Sequence, residues 1–390
     1  MVIGAGPAGA LTAERLAARG HDVVVLEEHE QVGSPVHCTG LLGLDAFAEF
    51  QLPPALVLAQ AGTARFWGAA GQSVSVQSDR VHAAIIDRAR LDALLAERAE
   101  AAGATVLRGC RADSVDVAAD GVVITVRAME APIRARACVL ACGANYRFHR
   151  RLGLGFPNLF LQSAQIETPF PETLPAEIEV RFGREVAPGG FAWLVPFTRT
   201  DGSYARIGLM SETRSRDRFD TFVRTLCERA GASAEAVASP RLKMLPLGPV
   251  TQTFADRVLA VGDAAGLVKP TTGGGIYYGL LSGVLAAGVL DEALASNRLH
   301  AGRLRRYETL WRRRLGQEIR IGTAFRRIAA RFSDETIDSI IELARVDGVV
   351  PLLKDTATFN WHRKAAVALL GHPALRRIVL KSWVRGDGPI

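Results

Sequence analysis

Lysine is scarce in this chain: five of its 47 basic residues, at 243, 269, 354, 364 and 381, the rest being arginine. None precedes Lys243, which excludes chemistry that depends on a lysine in the N-terminal half. Cysteine is also sparse, with five residues (38, 110, 138, 142 and 227) that form no CxxC pair and no cluster with histidine. No metal site is assigned, and iron–sulfur clusters are not expected. An odd count with no leader segment points to free thiols in a reducing compartment, so a cytoplasmic protein is expected. Long uncharged runs are few. The stretch Pro270 to Leu290, "PTTGGGIYYGLLSGVLAAGVL", has the 21 residues a membrane span needs, yet it holds six glycines and opens as a loop. It reads as a loop feeding a buried, small-residue helix. The N-terminus is short as well: only Val2 and Ile3 precede the first glycine turn, against about five residues in a usual strand. A trimmed or misplaced start is expected, with no room for a targeting peptide.

The 390 residues suffice for two or three domains, and 48% hydrophobic with 22% charged residues is a globular composition. The net charge of +7 is local, because residues 303–331 carry ten Arg against Glu308 and Glu318. Two readings of Arg303–Arg331 stay open: a solvated helix surface, or a face for anionic lipid headgroups that would place the protein peripherally at the inner membrane face. No nucleic-acid motif accompanies the charge, so no nucleic-acid partner is expected.

"VIGAGPAGALTAERLAARGHDVVVLEE" is a β-turn-α-β unit. Gly4 and Gly6 permit the tight turn and close approach of a pyrophosphate, Gly9 lets the helix lie against the strand, and the helix N-terminus faces the phosphates. Glu27 ends the second strand 23 residues after Gly4, where an acid takes ribose hydroxyls. An acid there favours FAD or NAD over NADP. Far downstream, "RVLAVGDAAGLVKPTTGGGIYYGL" reads as a buried strand, then Gly262-Asp263, then a glycine-rich loop into a helix. Asp263 can accept from a ribityl hydroxyl, and the backbone N–H groups of Gly274, Gly275 and Ile276 can face an anionic flavin edge. Between the two, "IIDRARLDALLAERAEAAGATVLRG" spaces Leu91, Leu94, Leu95 and Ala99 as an amphipathic helix.

The pairing of GAGPAG with a distant GDAAG resembles FAD-dependent oxidoreductases of the p-hydroxybenzoate hydroxylase fold. Three stretches resemble the geranylgeranyl reductase family within it: the cysteine loop "VHCTGLLG", the segment "PGGFAWLVP" (Pro188–Pro196; family pattern PxxYxWxFP), and "GDAAGLVKPTTGGGIYYG". The resemblance covers most of Met1 to about Ile340. It implies an α/β FAD-binding Rossmann-like (GR2-type) domain from 1–60, 80–158 and 256–300. An inserted antiparallel β-sheet substrate domain would take 61–79 and 159–255, with a C-terminal helical region over 301–390. Implied FAD neighbours are Ala8, Glu27, Cys38, Thr39, Arg88, Ala112, Asp263, Gly275 and Ile276, beside Gly4, Gly6, Gly9 and Gly274. Phe191, Trp193 and Pro196 would line the substrate cavity.

The implied activity is saturation of C=C bonds in a polyprenyl (geranylgeranyl-type) lipid by hydride from reduced flavin, with NAD(P)H or ferredoxin as outside donor. An isolated alkene is unactivated, so such a site needs a dry apolar cavity and few polar groups. Cys38 is the candidate proton donor; packing, or a backbone contact to FAD, are its other readings. His37 would point away from it and be solvated or structural. The sequence departs from the family pattern at Phe191 (Tyr), Val195 (Phe) and Cys142-Gly143 (Asp-Gly). A monooxygenase of the same fold acting on an aromatic or hydrophobic substrate is the alternative, which Cys142 disfavours. "FAWLVP" also approaches a halogenase motif, but halogenases need a lysine in the half of the chain that has none.

Overall fold

The computed structural model describes the chain apart from residues 78–80, 128, 171–176, 232, 234–236, 347–348, 352–357 and 385–390, and gives only the backbone of 381–384. Two compact units form, each from three separate stretches: Met1–Val36, Asp87–Leu159 and Pro246–Ile319, then His37–Ile86, Phe160–Leu245 and Arg320–Ile390.

The first unit is built on a six-stranded sheet in the order Phe254–Ala255, Val258–Ala260, Cys138–Leu140, Val2–Ile3, Val24–Leu26, Thr105–Leu107. Every pairing but the first is parallel. Brief as it is, the N-terminal strand is central, with Val2 opposite Val139 on one side and Val25 on the other. All three valines are at most 1% exposed, as a sheet covered on both faces requires. Helix Pro7–Ala17 starts on a proline, whose missing N–H costs nothing in a first turn. It lies on helix Ile276–Ala295 through small residues: a Cβ on Gly283 would come within 2.6 Å of the Ala8 carbonyl. Among the described residues that second helix alone is long and apolar enough to cross a bilayer; in this unit Leu280, Ala286, Ala287 and Ala293 are wholly buried. Helix Arg88–Ala101 is capped by Asp87, whose carboxylate accepts from the Arg90 N–H at 3.0 Å. It buries Leu91, Leu95 and Ala99, with Leu94 only half-buried.

The second unit carries a seven-stranded sheet ordered Arg241–Pro246, Phe160–Pro169, Gly202–Ser211, Phe191–Arg199, Ile178–Arg181, Thr63–Trp67, Ser73–Gln77. Its central strands are antiparallel, and Ile178–Arg181 runs parallel to Thr63–Trp67. Helix Ser215–Ala230 covers one face, setting Phe219, Phe222, Val223 and Leu226 against Ala164, Ala192, Leu194, Ala205, Ile207 and Leu209. The spacing of three, four and seven from Phe219 puts these four side chains on one stripe. Gly231, at φ 65°, ends the helix in the left-handed turn that glycine tolerates best.

The units divide the chain differently from the expected domains. Residues 37–60 and 81–86 fold with the large sheet's unit, because Leu41–Gly43, Ala83–Ile86 and Val57–Ala61 pair as one small antiparallel sheet. Residues 246–255 go to the first unit, where Phe254–Ala255 is the edge strand. The C-terminal region is not a domain of its own. Residues 301–319 bury Leu304, Tyr307, Trp311 and Leu315 in the first unit, and residues 320–390 belong to the second.

Candidate cofactor and substrate sites

In the first unit the two glycine signatures meet. Gly262 of the second lies against Ala8 of the first, and a Cβ on it would sit 3.0 Å from the Ala8 Cβ. Gly4 and Gly9 are dictated by backbone crowding: added Cβ atoms would come 2.4 Å from the Ala141 carbonyl oxygen and 2.0 Å from the Gly4 carbonyl oxygen. At Gly6 an added Cβ would meet nothing within 4 Å. Protein packing therefore does not explain that glycine, whereas a ligand approaching the helix N-terminus does. Glu27 stands at the end of its strand, 8% exposed, its Oε2 accepting from the Ala5 N–H at 2.9 Å. Its Oε1 accepts from the His29 N–H at 3.0 Å and lies 2.6 Å from His29 Nδ1. Each oxygen keeps spare acceptor capacity for a ligand hydroxyl.

The second signature is tightly organised. Asp263 turns its carboxylate toward the helix N-terminus, where a Cβ on Gly275 would meet its Oδ1 at 2.7 Å. Ile276 is the first residue of that helix. The loop is held from behind by two side chains on Asn145–His149, a segment the sequence reading passed over. The Tyr146 hydroxyl donates to the Asp263 carbonyl at 2.7 Å, and His149 Nε2 lies 2.6 Å from the Ala264 carbonyl. Burial lowers the His149 pKa and raises that of Tyr146, so both stay neutral. Lys269 is also buried here, its N–H bonded to the Gly274 carbonyl at 3.1 Å. Arg88 and Ala112 belong to this unit but are engaged elsewhere: the Arg88 guanidinium grips Asp92 at 2.8 and 2.9 Å, and the Ala112 carbonyl accepts from Arg147.

Cys38 and Thr39 fold with the seven-stranded sheet, on the face opposite helix Ser215–Ala230. Alternation along the strands fixes the faces. Ala192 and Leu194 pack under that helix, so Phe191, Trp193, Val195 and Phe197 point the other way. On that second face Phe182, Phe191 and Trp193 form a row with ring centroids 6.0 and 5.9 Å apart. Trp193 lies over Gly208, its cross-strand partner, where a Cβ would come 2.5 Å from the indole. Pro196 pairs with Ala205 and so shares the helix-covered face. The three expected cavity residues are therefore split, because a nine-residue motif read as one wall is a strand with two sides.

The cysteine loop is tied to the aromatic face at two points. His37 Nε2 lies 3.3 Å from Ser163 Oγ, and Arg206 donates through Nη1 to the Thr39 carbonyl at 2.9 Å. Ser163 and Arg206 are on this face by register, since Ser163 pairs with Met210 and Met210 with Phe191, while Arg206 pairs with Val195. His37 is thus half-buried and bonded, not solvated. Cys38 Sγ accepts from the Gly40 N–H at 3.3 Å, which leaves its S–H free to donate. Cys138 and Cys142 differ: burial pushes both thiols up to about 12, and Cys142 donates to the Asn145 carbonyl. They are inert at neutral pH.

Burial, with Lys243 and Arg241 adding positive charge nearby, lowers the His37 pKa from 6.5 to about 4. Between these values the unfolded chain binds the proton and the folded one does not. The stability this contributes is complete above pH 6.5 and is lost as pH falls toward 4, at most about 3 kcal/mol. Urea midpoints of the wild type and His37→Gln, measured from pH 7 down to 4, will converge as pH drops. Parallel curves would refute the assignment.

The arginine-rich stretch is partly structural. Arg303 and Arg306 pair with Glu292, Arg312 pairs with Glu308, and Arg326 is buried against the Gly189 carbonyl. Arg305, Arg313, Arg320 and Arg327 are exposed.

Residues 1–341 match the family model described as lycopene cyclase protein. A digeranylgeranylglycerophospholipid reductase of Methanothermobacter thermautotrophicus is 31% identical over 353 residues, covering 87% of this chain and 90% of the relative. Another of that name, from Methanocaldococcus jannaschii, is 27% identical over 358 residues, covering 88% and 89%. Among solved structures, a geranylgeranyl bacteriochlorophyll reductase-like protein of Thermoplasma acidophilum aligns over 98% of both chains, with a TM-score of 0.81 at 22% identity. A halogenase in complex with FAD aligns over 98% of this chain and 89% of its own, with a TM-score of 0.66 at 18% identity. At such identities the shared property is the fold.

Proposed function

Because this chain belongs to the lycopene cyclase protein family and to the geranylgeranyl reductases among FAD-dependent oxidoreductases, we propose that it saturates C=C bonds of a geranylgeranyl-type lipid chain. The observation that carries the reading beyond family membership is the second face of the large sheet. It brings the Phe182–Phe191–Trp193 row and the Cys38 loop together in one unit, aromatic rings and a free thiol on one side of the sheet.

FAD fits the first unit, where the close-packed Gly4 and Gly9 frame open space at Gly6. Gly4, Gly6, Ala8 and Gly9 would hold the pyrophosphate, Glu27 the adenosine ribose, and Asp263 the ribityl chain. Gly274, Gly275 and Ile276 would offer N–H groups to the flavin edge. When bound and reduced, the flavin supplies a hydride to one alkene carbon. The protein's part is to keep water away, to orient a flexible apolar chain, and to deliver a proton to the other carbon. Cys38 is the proposed donor, since a thiol tolerates an apolar pocket and its hydrogen is not engaged by the loop. Phe191, in place of the family's tyrosine, adds apolar surface and no second hydroxyl. The exposed Arg305, Arg313, Arg320 and Arg327 fit an anionic bilayer surface from which such a lipid would be drawn. NAD(P)H and ferredoxin are the proposed classes of outside donor.

The test is anaerobic: dithionite-reduced holoenzyme is mixed with a panel of polyprenyl lipids, and products are read by a mass gain of about two per bond. Cys38→Ala should retain FAD and lose about 100-fold or more in the rate of reduction, the usual size of a lost general acid. Full activity in Cys38→Ala would reduce that residue to packing and backbone contact. Rapid oxygen consumption with an aromatic, and no lipid product, would replace the reductase by a monooxygenase.

A further inference from the structure

We propose that Arg206, with no role in either glycine signature or in the aromatic row, is the positioning residue that fixes the Cys38 loop on the substrate face of the sheet. This rests on the reductase reading for its consequence in turnover, but its geometry stands apart from it.

Arg206 is 1% exposed, and a guanidinium that deep is costly unless its donors are matched. The matches are specific. Nε donates to Glu167 Oε2 at 2.9 Å, across the strand pair in which Glu167 and Arg206 are register partners. Glu167 is itself held by Arg199. The guanidinium carbon lies 4.6 Å from the Phe197 ring centroid. One side of the group is thus anchored in the sheet. The other reaches out, with Nη1 donating to the Thr39 carbonyl at 2.9 Å and the Ile86 carbonyl at 3.0 Å. One nitrogen therefore bridges the loop to the strand Ala83–Ile86. The chain leaves just enough room for it. Gly40 sits at φ 69°, and an added Cβ would come 2.1 Å from Nη1 and 2.7 Å from the Ile86 carbonyl oxygen.

The consequence falls on Cys38. The anchored carbonyl belongs to Thr39, the next residue in the chain, and the Cys38 sulfur accepts from the Gly40 N–H, while the Gly40 carbonyl takes the Ile86 N–H at 2.8 Å. On its other side His37 is tied to Ser163. The thiol is thus suspended between two anchors that both rise from the aromatic face. A lysine cannot span Glu167 and two carbonyls with one planar fork, so it should restore the role only in part.

The test uses FAD-loaded protein and Arg206→Met, Arg206→Lys and Gly40→Ala, the last crowding Nη1 while leaving the arginine in place. Iodoacetamide modification of Cys38, resolved from the other cysteines by peptide mass spectrometry, should quicken about fivefold or more in Arg206→Met, as a loop loses local protection. Arg206→Lys should fall between that and the wild type. In lipid reduction kcat should fall about 10- to 100-fold while KM changes much less, as expected of a misplaced group. The flavin absorbance spectrum should stay unchanged. If Arg206→Met does not fold, Arg206→Lys and Gly40→Ala carry the test. Unchanged Cys38 modification in those variants would overturn the proposal. Altered modification without any lipid reduction, in wild type or variant, would retain the clamp and remove the reductase reading.

Discussion

Gly9→Ala will yield a protein that does not keep FAD through gel filtration. The methyl group would stand 2.0 Å from the Gly4 carbonyl oxygen and 2.8 Å from the Ala141 Cβ. Neither neighbour is the yielding end of a long side chain. Helix Pro7–Ala17 has little freedom to shift, because Gly283 of helix Ile276–Ala295 is already packed on the Ala8 carbonyl and Thr12 Oγ1. The helix must tilt, and its N-terminal N–H groups leave the place where a pyrophosphate would meet them. We expect FAD affinity to fall by at least about 100-fold, with about 1–3 kcal/mol of stability lost to overpacking. Gly6→Ala is the matched comparison. Its added methyl meets no protein atom within 4 Å, so it should melt like the wild type while still binding FAD poorly. The flavin-to-protein absorbance ratio and the melting temperature separate the two. A Gly9→Ala protein with stoichiometric FAD would refute this account of the turn.

Trp193→Ala carries the second large effect, and it falls on the other unit. Trp193 is 8% exposed, 5.9 Å from the Phe191 ring centroid, with the glycine gap at 208 beneath it. Truncation removes one end of the aromatic row and the ring that covers Gly208, and large-to-alanine changes of buried aromatics cost about 3–5 kcal/mol. Lipid reduction should fall more than about tenfold, because an unactivated chain depends on its orientation, whereas FAD retention should hold. Trp193→Phe distinguishes packing from hydrogen bonding. Among the described residues the indole Nε1 is buried with no hydrogen-bond partner, so removing it relieves an unmet polar group. The phenylalanine variant should lose no more than about 1–2 kcal/mol and keep most activity. Chemical denaturation and single-turnover lipid assays check both. A wild-type melting curve for Trp193→Ala would remove the row from the core of this unit.

How legible these features were depended on how local their causes are. The glycine turns and Glu27 were readable because the strand, turn, helix and second strand that require them lie within about 30 residues, although the Ala141 that crowds Gly4 and Gly9 is distant in the chain. Helix Arg88–Ala101 was readable from the spacing of Leu91, Leu94, Leu95 and Ala99, of which Leu91, Leu95 and Ala99 are buried. Arg206 could not be found that way, since it meets Thr39 and Ile86 across 167 and 120 positions. The anchors Tyr146 and His149 act across more than 100 positions as well, and nothing near them in the chain marks the loop they hold. The expected boundary at residue 60 missed a sheet whose strands, Leu41–Gly43 and Val57–Ala61, are short and interrupted. The arginine run showed charge but not that Arg326 is spent on the Gly189 carbonyl.

The alternation along Phe191–Arg199 has a practical reach for anyone wishing to retool this protein. Odd-numbered positions from 191 to 195 face the proposed ligand side, while 192, 194 and 196 belong to the layer under helix Ser215–Ala230. A combinatorial library that randomised the whole motif would spend most of its members on unfolded chains. One confined to 191, with 193 limited to aromatic residues and Gly208 kept, would vary the proposed ligand face while sparing the layer under the helix.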